Sequence, residues 1–92
     1  MQIQHLQSFV LLCQEKNISK CSQKLHISQQ GLSRQMKAME RELGTTLFVR
    51  TTKGVELTEE CSVLLPGLKK TLDLYNQSLR ELKDYQKNHQ ET

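Results

Sequence analysis

The stretch from Ser28 to Lys37, SQQGLSRQMK, concentrates amide, hydroxyl and basic side chains and contains no acid. Glutamine amides can form paired hydrogen bonds with adenine, and arginine guanidinium groups can do so with guanine. Lysine and serine side chains are common donors to phosphate oxygens. These residue types therefore favour the recognition of bases and phosphates by hydrogen bonding and charge. If the segment is helical, they lie on one side of the helix.

Helical geometry divides this segment into two faces. At about 100° per residue, the apolar residues fall on one core-facing stripe, which consists of Leu32, Met36, Met39 and Leu43. The opposite face carries Ser33, Lys37, Gln30, Arg41 and Arg34, with Gln29 at the border and Glu40 as the one acid near the edge. Ser28 is a good N-cap and Gly44 a good C-terminal stop, so the sequence predicts a helix over residues 29–43. A purely solvated surface is the simpler interpretation of the polar face.

The elements before this helix must position it. Residues 3–16 are predicted to be helical, with a stripe of Ile3, Leu6, Val10 and Cys13 and with Phe9 at its edge. Asn17 breaks the helix, and Ser19 is predicted to cap a short second helix over residues 20–25, with Cys21 and Leu25 facing inward. Two helices separated by a turn of about three residues have the spacing of a helix-turn-helix.

After Gly44 the pattern changes to two short β-prone stretches, Leu47–Arg50 and Val55–Leu57, on either side of TTKG. Gly54 can supply a positive φ in the turn. This pattern predicts a two-stranded wing with Arg50 at its base and Lys53 at its tip. Basic side chains there could hold a flanking phosphate or a minor groove, although a solvated hairpin would show the same pattern.

A long helix is predicted to begin after Thr58, with Glu59 and Glu60 in its first turn and Pro66 in its second. Its apolar residues follow the a and d spacing of a coiled coil: Leu65, Leu68, Leu72, Tyr75, Leu79 and Leu82. We expect a partner helix to cover this seam, because a single small domain has too little surface to do so; packing against the chain's own domain is the alternative. The tail after Tyr85 is polar, and we expect it to fray.

Charge and composition narrow the functional class. Residues 1–58 hold eight basic and four acidic residues, a net of +4, whereas residues 59–92 hold five and six, a net of −1. The excess of positive charge therefore lies in residues 1–58. No apolar run is long enough to cross a bilayer, and the N-terminus lacks the pattern of a secretory signal. We expect a cytoplasmic protein that needs no cofactor.

Other ionisable side chains do not form a recognisable site in the sequence. Cys13, Cys21 and Cys61 lack zinc-ligand spacing, and buried or half-buried, reduced thiols are the expected state. His5, His26 and His89 are scattered, and no nucleophile–base pair, pair of catalytic carboxylates or phosphate loop is evident. We therefore expect neither a metal site nor catalysis.

Residues 1–60 resemble the N-terminal winged helix-turn-helix of LysR-type transcriptional regulators. The resemblance rests on Leu6 and Phe9, KLHISQ, Leu32-Ser33, Met36 with Met39-Glu40, LG..LFVR and KGVELT, and LLPGLKK is similar to the family's linker helix. The chain departs from the family at Cys21-Ser22, Gln30-Gly31 and TEEC (residues 58–61). The resemblance implies regulation of transcription in response to a small molecule. It also implies a C-terminal effector-binding domain, which is absent from this chain.

The resulting hypothesis is a mainly α protein. A winged helix-turn-helix DNA-binding domain over residues 1–58, with three helices and a two-stranded β wing, is followed by a dimerisation helix over residues 59–92. We expect a homodimer, held through this helix, that binds a pseudo-palindromic site in double-stranded DNA; a higher oligomer is the alternative for the full-length protein. The residues expected to read bases are Gln29, Gln30, Ser33 and Arg34, and those expected to contact the backbone or minor groove are Ser28, Lys37, Arg50, Thr52 and Lys53.

Other function classes stay open on sequence alone. A protein-interaction module could use the seam to recruit a partner, with the basic face incidental. Another winged-helix family would give the same type of function with different details. An enzyme with an unrecognised site is the third alternative, and no group of residues supports it.

Overall fold

The computed structural model describes residues 1–89. Along this part of the chain the elements are α1 (Ile3–Glu15), α2 (Ile18–Leu25), α3 (Gln29–Leu43), β1 (Phe48–Thr51), β2 (Gly54–Leu57) and α4 (Glu59–Asn88). The predicted winged helix-turn-helix followed by a long helix is confirmed. No helix within the described range is long and apolar enough to cross a membrane.

The core forms where α1 meets α2, α3 and the first turns of α4. Phe9 is fully buried at its centre, and its ring lies 5.7 Å from that of Phe48 at a tilt of 58°. The prediction that Phe9 lies at the edge of the α1 stripe is therefore wrong. Because α1 packs against three other helices, it needs more than one apolar stripe, and Leu12, outside the predicted stripe, is also buried.

The helix ends follow local capping chemistry. The predicted bounds of α3 are confirmed: Ser28 Oγ accepts from the Gly31 amide at 2.9 Å, and Gly44 takes the left-handed conformation with φ 67°. The predicted cap of α2 is wrong. Asn17, in an extended conformation, accepts from the Lys20 amide through Oδ1 at 2.8 Å, so the helix begins at Ile18 and includes Ser19.

The wing is a two-stranded antiparallel hairpin in which Phe48 pairs with Leu57 and Thr51 with Gly54. Thr52 and Lys53 form its turn, so Lys53 lies at the tip as predicted. Arg50 does not lie at the base, because it pairs with Val55, one step from the turn. The arginine is therefore close to the part of the wing that projects outward.

Helix α4 begins after Thr58, whose Oγ1 accepts from the Cys61 amide at 3.1 Å, and it continues through Pro66. The two halves of its predicted seam differ in burial. Leu65 and Leu68 are half-buried and Leu72 is 8% exposed, all three against the chain's own core. The expectation that a partner must cover the whole seam is wrong for this half, because the helix packs along α1.

The second half of α4 extends past the winged domain. Tyr75, Leu79 and Leu82 are 37%, 45% and 53% exposed, respectively. Residues 86–88 are helical rather than frayed, and the His89 ring stacks on Tyr85 at 4.1 Å. The rest of the predicted frayed tail, residues 90–92, lies outside the described residues.

Candidate nucleic-acid interface

The first two turns of α3 present polar side chains to solvent. Gln29, Gln30 and Arg34 are exposed, whereas Leu32 on the opposite face is fully buried. Ser28 is also exposed, but its oxygen is engaged as the N-cap of the helix. Since a serine hydroxyl can accept and donate at the same time, Ser28 keeps a proton to donate to a phosphate oxygen.

The buried stripe of α3 is shorter than predicted. Met36 and Met39 are 5% and 1% exposed, but Leu43 is 40% exposed. The last turn of α3 lies at the margin of the core, where Leu43, Val63 and Leu64 line a shallow groove between α3 and α4. Leu43 therefore belongs to this groove rather than to the core.

Rotation of α3 about its axis is restrained by a hydrogen bond to α1. Ser8 is 2% exposed and donates through Oγ to Gln35 Oε1 at 2.5 Å. The sequence pattern does not predict this role for Gln35. A buried hydroxyl that lost its acceptor would cost about 1–3 kcal/mol, so this contact favours one orientation of the recognition face.

Arg50 connects the wing to the recognition helix. Its Nη2 donates a hydrogen bond to Ser33 Oγ, which lies on the outer face of α3. Ser33, Lys37 and Arg50 line one cleft between α3 and the hairpin, and Glu40 lies at the same cleft. The structure thus brings together one predicted base-reading residue and two predicted backbone-contacting residues.

The remaining wing residues lie farther out. Thr52 and Lys53 are exposed in the turn, where the Lys53 amide donates to Thr51 Oγ1 at 3.2 Å. Gln29 and Gln30, in the first turn of α3, do not line the cleft occupied by Arg50. The nine predicted contact residues therefore form two groups, one at the start of α3 and one from Ser33 to the wing.

Glu40 has a structural role that the sequence did not reveal. Its Oε2 accepts from the amides of Leu47 and Phe48 at 2.7 Å and 3.2 Å, which fixes the beginning of the wing against α3. In the sequence it reads as an acid at the edge of a polar face. No local pattern distinguishes it from a solvated glutamate, because its partners are backbone groups seven and eight residues away.

The other side of the wing is held by the end of α1. The Val55 amide donates to the Lys16 carbonyl at 3.0 Å, and Lys16 itself is left-handed with φ 52°. A Cβ on Gly54 would lie 2.6 Å from that carbonyl oxygen, and Gly54 has φ +132°. Glycine is required here for two reasons, the close approach and the backbone conformation.

The three cysteines are buried free thiols, as expected. Burial raises the pKa of each thiol above its ordinary value, and that of Cys21 reaches about 11. No sequence pattern predicts that Cys13 and Cys61 lie together, yet their Sγ atoms are 3.6 Å apart. Within residues 1–89 no group of three or more His, Cys, Asp or Glu side chains could hold a metal ion.

This geometry, with a capped polar helix beside a basic wing, agrees with the comparisons with known proteins. The profile of bacterial regulatory helix-turn-helix proteins of the lysR family matches residues 3–62. The chain belongs to the LysR family. It is 40% identical to the HTH-type transcriptional regulator TfdT of Cupriavidus pinatubonensis over 87% of its length. It spans 35% of the length of that regulator, so it corresponds to about a third of such a LysR protein.

Solved structures of LysR proteins share the fold. The DNA-binding domain of CbnR in complex with DNA superimposes with a TM-score of 0.82 at 29% identity, covering 92% of this chain and 98% of that one. The DNA-binding domain of BenM in complex with catB site 1 DNA gives a TM-score of 0.85 at 33% identity, covering 92% and 96%. The match therefore includes most of α4 as well as the winged domain of this LysR chain.

Proposed function

We propose that this chain binds double-stranded DNA sequence-specifically as the DNA-binding domain of a transcriptional regulator. The observation that carries the proposal is the exposure of Gln29, Gln30 and Arg34 on a helix whose opposite face is locked into the core. The start of a recognition helix is the part that meets base edges in the major groove. We assign base reading to these three residues and to Ser33.

Backbone contacts follow from the positions of the remaining polar groups. Lys37 and Arg50 line the cleft beside Ser33, so their positive charges lie next to one of the four residues assigned to base reading. Ser28 at the start of α3, and Thr52 and Lys53 in the wing turn, are also exposed. We assign contacts with phosphates or the minor groove to these five residues.

We further propose that the chain acts as a homodimer held by α4. Tyr75, Leu79 and Leu82 remain exposed after the helix has packed on its own domain, and apolar residues in such a row favour a helical partner. Leu65, Leu68 and Leu72 contribute mainly to the protomer, since they pack on its core. Two recognition helices would then read half-sites about 34 Å apart, or a multiple of that distance.

The wider role is inferred from relatives that are longer than this chain. The CbnR and OxyR structures that match this fold include chains of which this one covers 26–29%. We propose that a C-terminal effector-binding domain follows in the intact regulator, that a small molecule controls it, and that the protein works in the cytoplasm on DNA rather than as an enzyme. TfdT, the relative described above, is named as a regulator and not as a catalyst.

Selection of binding sites from random duplex DNA tests the proposal. We expect enrichment of an inverted repeat whose half-sites are separated by a whole number of helical turns. The enriched duplex should bind at least tenfold more tightly than a shuffled duplex at the same salt concentration. Equal affinity for both would show that the basic face binds DNA only through charge. Enrichment of a single half-site would contradict the proposed dimer but not base reading.

A further inference from the structure

Two free thiols lie next to each other where the first turn of α4 packs against the end of α1. Cys13 lies in the last turns of α1 and Cys61 in the first turn of α4, 48 residues apart in the chain. Their Sγ atoms are 3.6 Å apart, and both residues are buried, at 5% and 0% exposure. A disulfide bond needs a sulfur–sulfur distance of about 2.05 Å, so closing this pair requires a movement of only about 1.5 Å.

We propose that Cys13 and Cys61 form an oxidative modification site, at which a small two-electron thiol oxidant creates a disulfide that fastens α4 to α1. In the reaction each thiol loses one proton and one electron, and a sulfur–sulfur bond forms. The oxidant accepts both electrons and both protons. With a diazenedicarboxamide its N=N bond becomes HN–NH, and with a small disulfide its S–S bond is cleaved to two thiols.

The third cysteine does not belong to this pair. The Sγ of Cys21 lies 4.0 Å from the backbone oxygen of Ser8, and no thiol–thiol contact of Cys21 within residues 1–89 matches that of Cys13 with Cys61. Cys21 is therefore a matched internal control, since it is a free thiol that is as fully buried as Cys61. A non-specific reaction of the chain with an oxidant would involve Cys21 as well.

Because the pair is buried, we expect the disulfide to form slowly and to resist reduction once formed. Burial raises the pKa of both thiols, so few thiolates are present near neutral pH and the pair reacts slowly. Burial also shields the finished bond from reducing agents. The cross-link closes a loop of 49 residues, which restricts the unfolded chain and raises the melting temperature. It lies in the core, away from the side chains assigned to DNA contacts.

The experiment treats the folded chain with diamide, a diazenedicarboxamide, then blocks free thiols in denaturant and maps the peptides by mass spectrometry. We expect an intramolecular link between Cys13 and Cys61, alkylation of Cys21 alone, and a higher melting temperature that dithiothreitol reverses after unfolding. The variant Cys21→Ala should give the same link. Cys61→Ala should give none, with no rise in melting temperature.

Three results would overturn the proposal. The first is a link that forms in urea-unfolded chain but not in folded chain, which would show that the native pair cannot close. The second is a link that includes Cys21 as often as Cys61, and the third is an intermolecular product. None of these measurements involves DNA, so their failure would leave the proposed DNA-binding function intact.

Discussion

Arg50 of the wing and Ser33 of the recognition helix share a hydrogen bond, so the two parts of the DNA-facing surface are joined through side chains. The guanidinium group occupies one acceptor position of the serine hydroxyl and directs the hydroxyl proton away from the cation. Ser33 therefore keeps its hydroxyl proton to donate to a further acceptor. Its partners on DNA would be acceptors, such as purine N7, guanine O6, thymine O4 or a phosphate oxygen.

This contact predicts coupling between the two residues in DNA binding. Ser33→Ala and Arg50→Ala should each weaken binding to the selected duplex, but the double variant should lose less than the sum. We expect a coupling free energy of about 0.5–3 kcal/mol from a cycle of four affinities measured by fluorescence anisotropy. Losses that add within about 0.3 kcal/mol would show that the contact does not operate in the complex.

Base reading and backbone contact should separate experimentally. Arg34→Ala should cost about 1–3 kcal/mol on the selected duplex and broaden the sequence preference. Lys53→Ala should weaken selected and shuffled duplexes by similar factors and flatten the salt dependence, because it removes one phosphate contact. Titrations at several salt concentrations measure both effects. The assignment of roles is wrong if the two variants show the same pattern on both duplexes.

The exposed end of α4 should carry the dimer. Leu79→Asp should shift the sedimentation coefficient from dimer toward monomer and sharply reduce affinity for a duplex with two half-sites. Affinity for a single half-site should hardly change, because Leu79 lies far along α4 from the winged core. Leu74→Asp is the matched control, since it is the same substitution at a residue of α4 that is 64% exposed and lies outside the seam. Equal effects of the two substitutions would locate the interface elsewhere.

Glu40 should stabilise the wing rather than bind DNA. Glu40→Ala leaves the Leu47 and Phe48 amides without their acceptor, and we expect it to cost about 1–3 kcal/mol in the free energy of unfolding by urea. Glu56→Ala removes an equal charge from an exposed site on β2 and should change stability by less than about 0.5 kcal/mol. A similar small change in both variants would mean that the paired hydrogen bonds contribute little.

Burial of Cys21 should make the protein less stable in alkali. Burial, then the nearby Glu15 carboxylate, raises the pKa of its thiol to about 11 from an ordinary value near 9.0. Because the unfolded thiol ionises first, stability is fully present below about pH 9 and is lost as the pH rises toward 11, by up to about 2–3 kcal/mol. Urea unfolding across this window should show a shallower decline for Cys21→Ala. Parallel declines would contradict the assignment.

The elements of this fold could largely be predicted from sequence because their signals are local. Ser28, Gly44 and Thr58 each mark a helix end by their own capping chemistry, and the structure has helix ends at all three. Asn17 and Ser19 both favour an N-cap; in the structure Asn17 is the cap and Ile18 packs against the core. That choice depends on tertiary packing, which a short window of sequence does not contain.

The contacts that organise the site were harder to predict. Glu40 binds backbone amides on the wing, and Arg50 binds a serine on α3, so both depend on how the hairpin docks. The regular spacing of the α4 seam predicted one uniform surface, but Leu72 faces the chain's own core and Leu79 faces solvent. A heptad pattern shows which side of a helix is apolar, but it does not show whether the chain's own core or a partner covers that side.

The two anchors of the wing have a consequence for changes in loop length. Glu40 holds the hairpin where β1 begins, and the Lys16 carbonyl holds it at Val55, one residue pair from the turn. Beyond both attachments lie the last strand pair, Thr51 with Gly54, and the two turn residues, Thr52 and Lys53. Residues inserted between these two would lengthen the reach of the wing without altering its docking, whereas an insertion within either strand would shift Gly54 away from the one carbonyl that only glycine can approach.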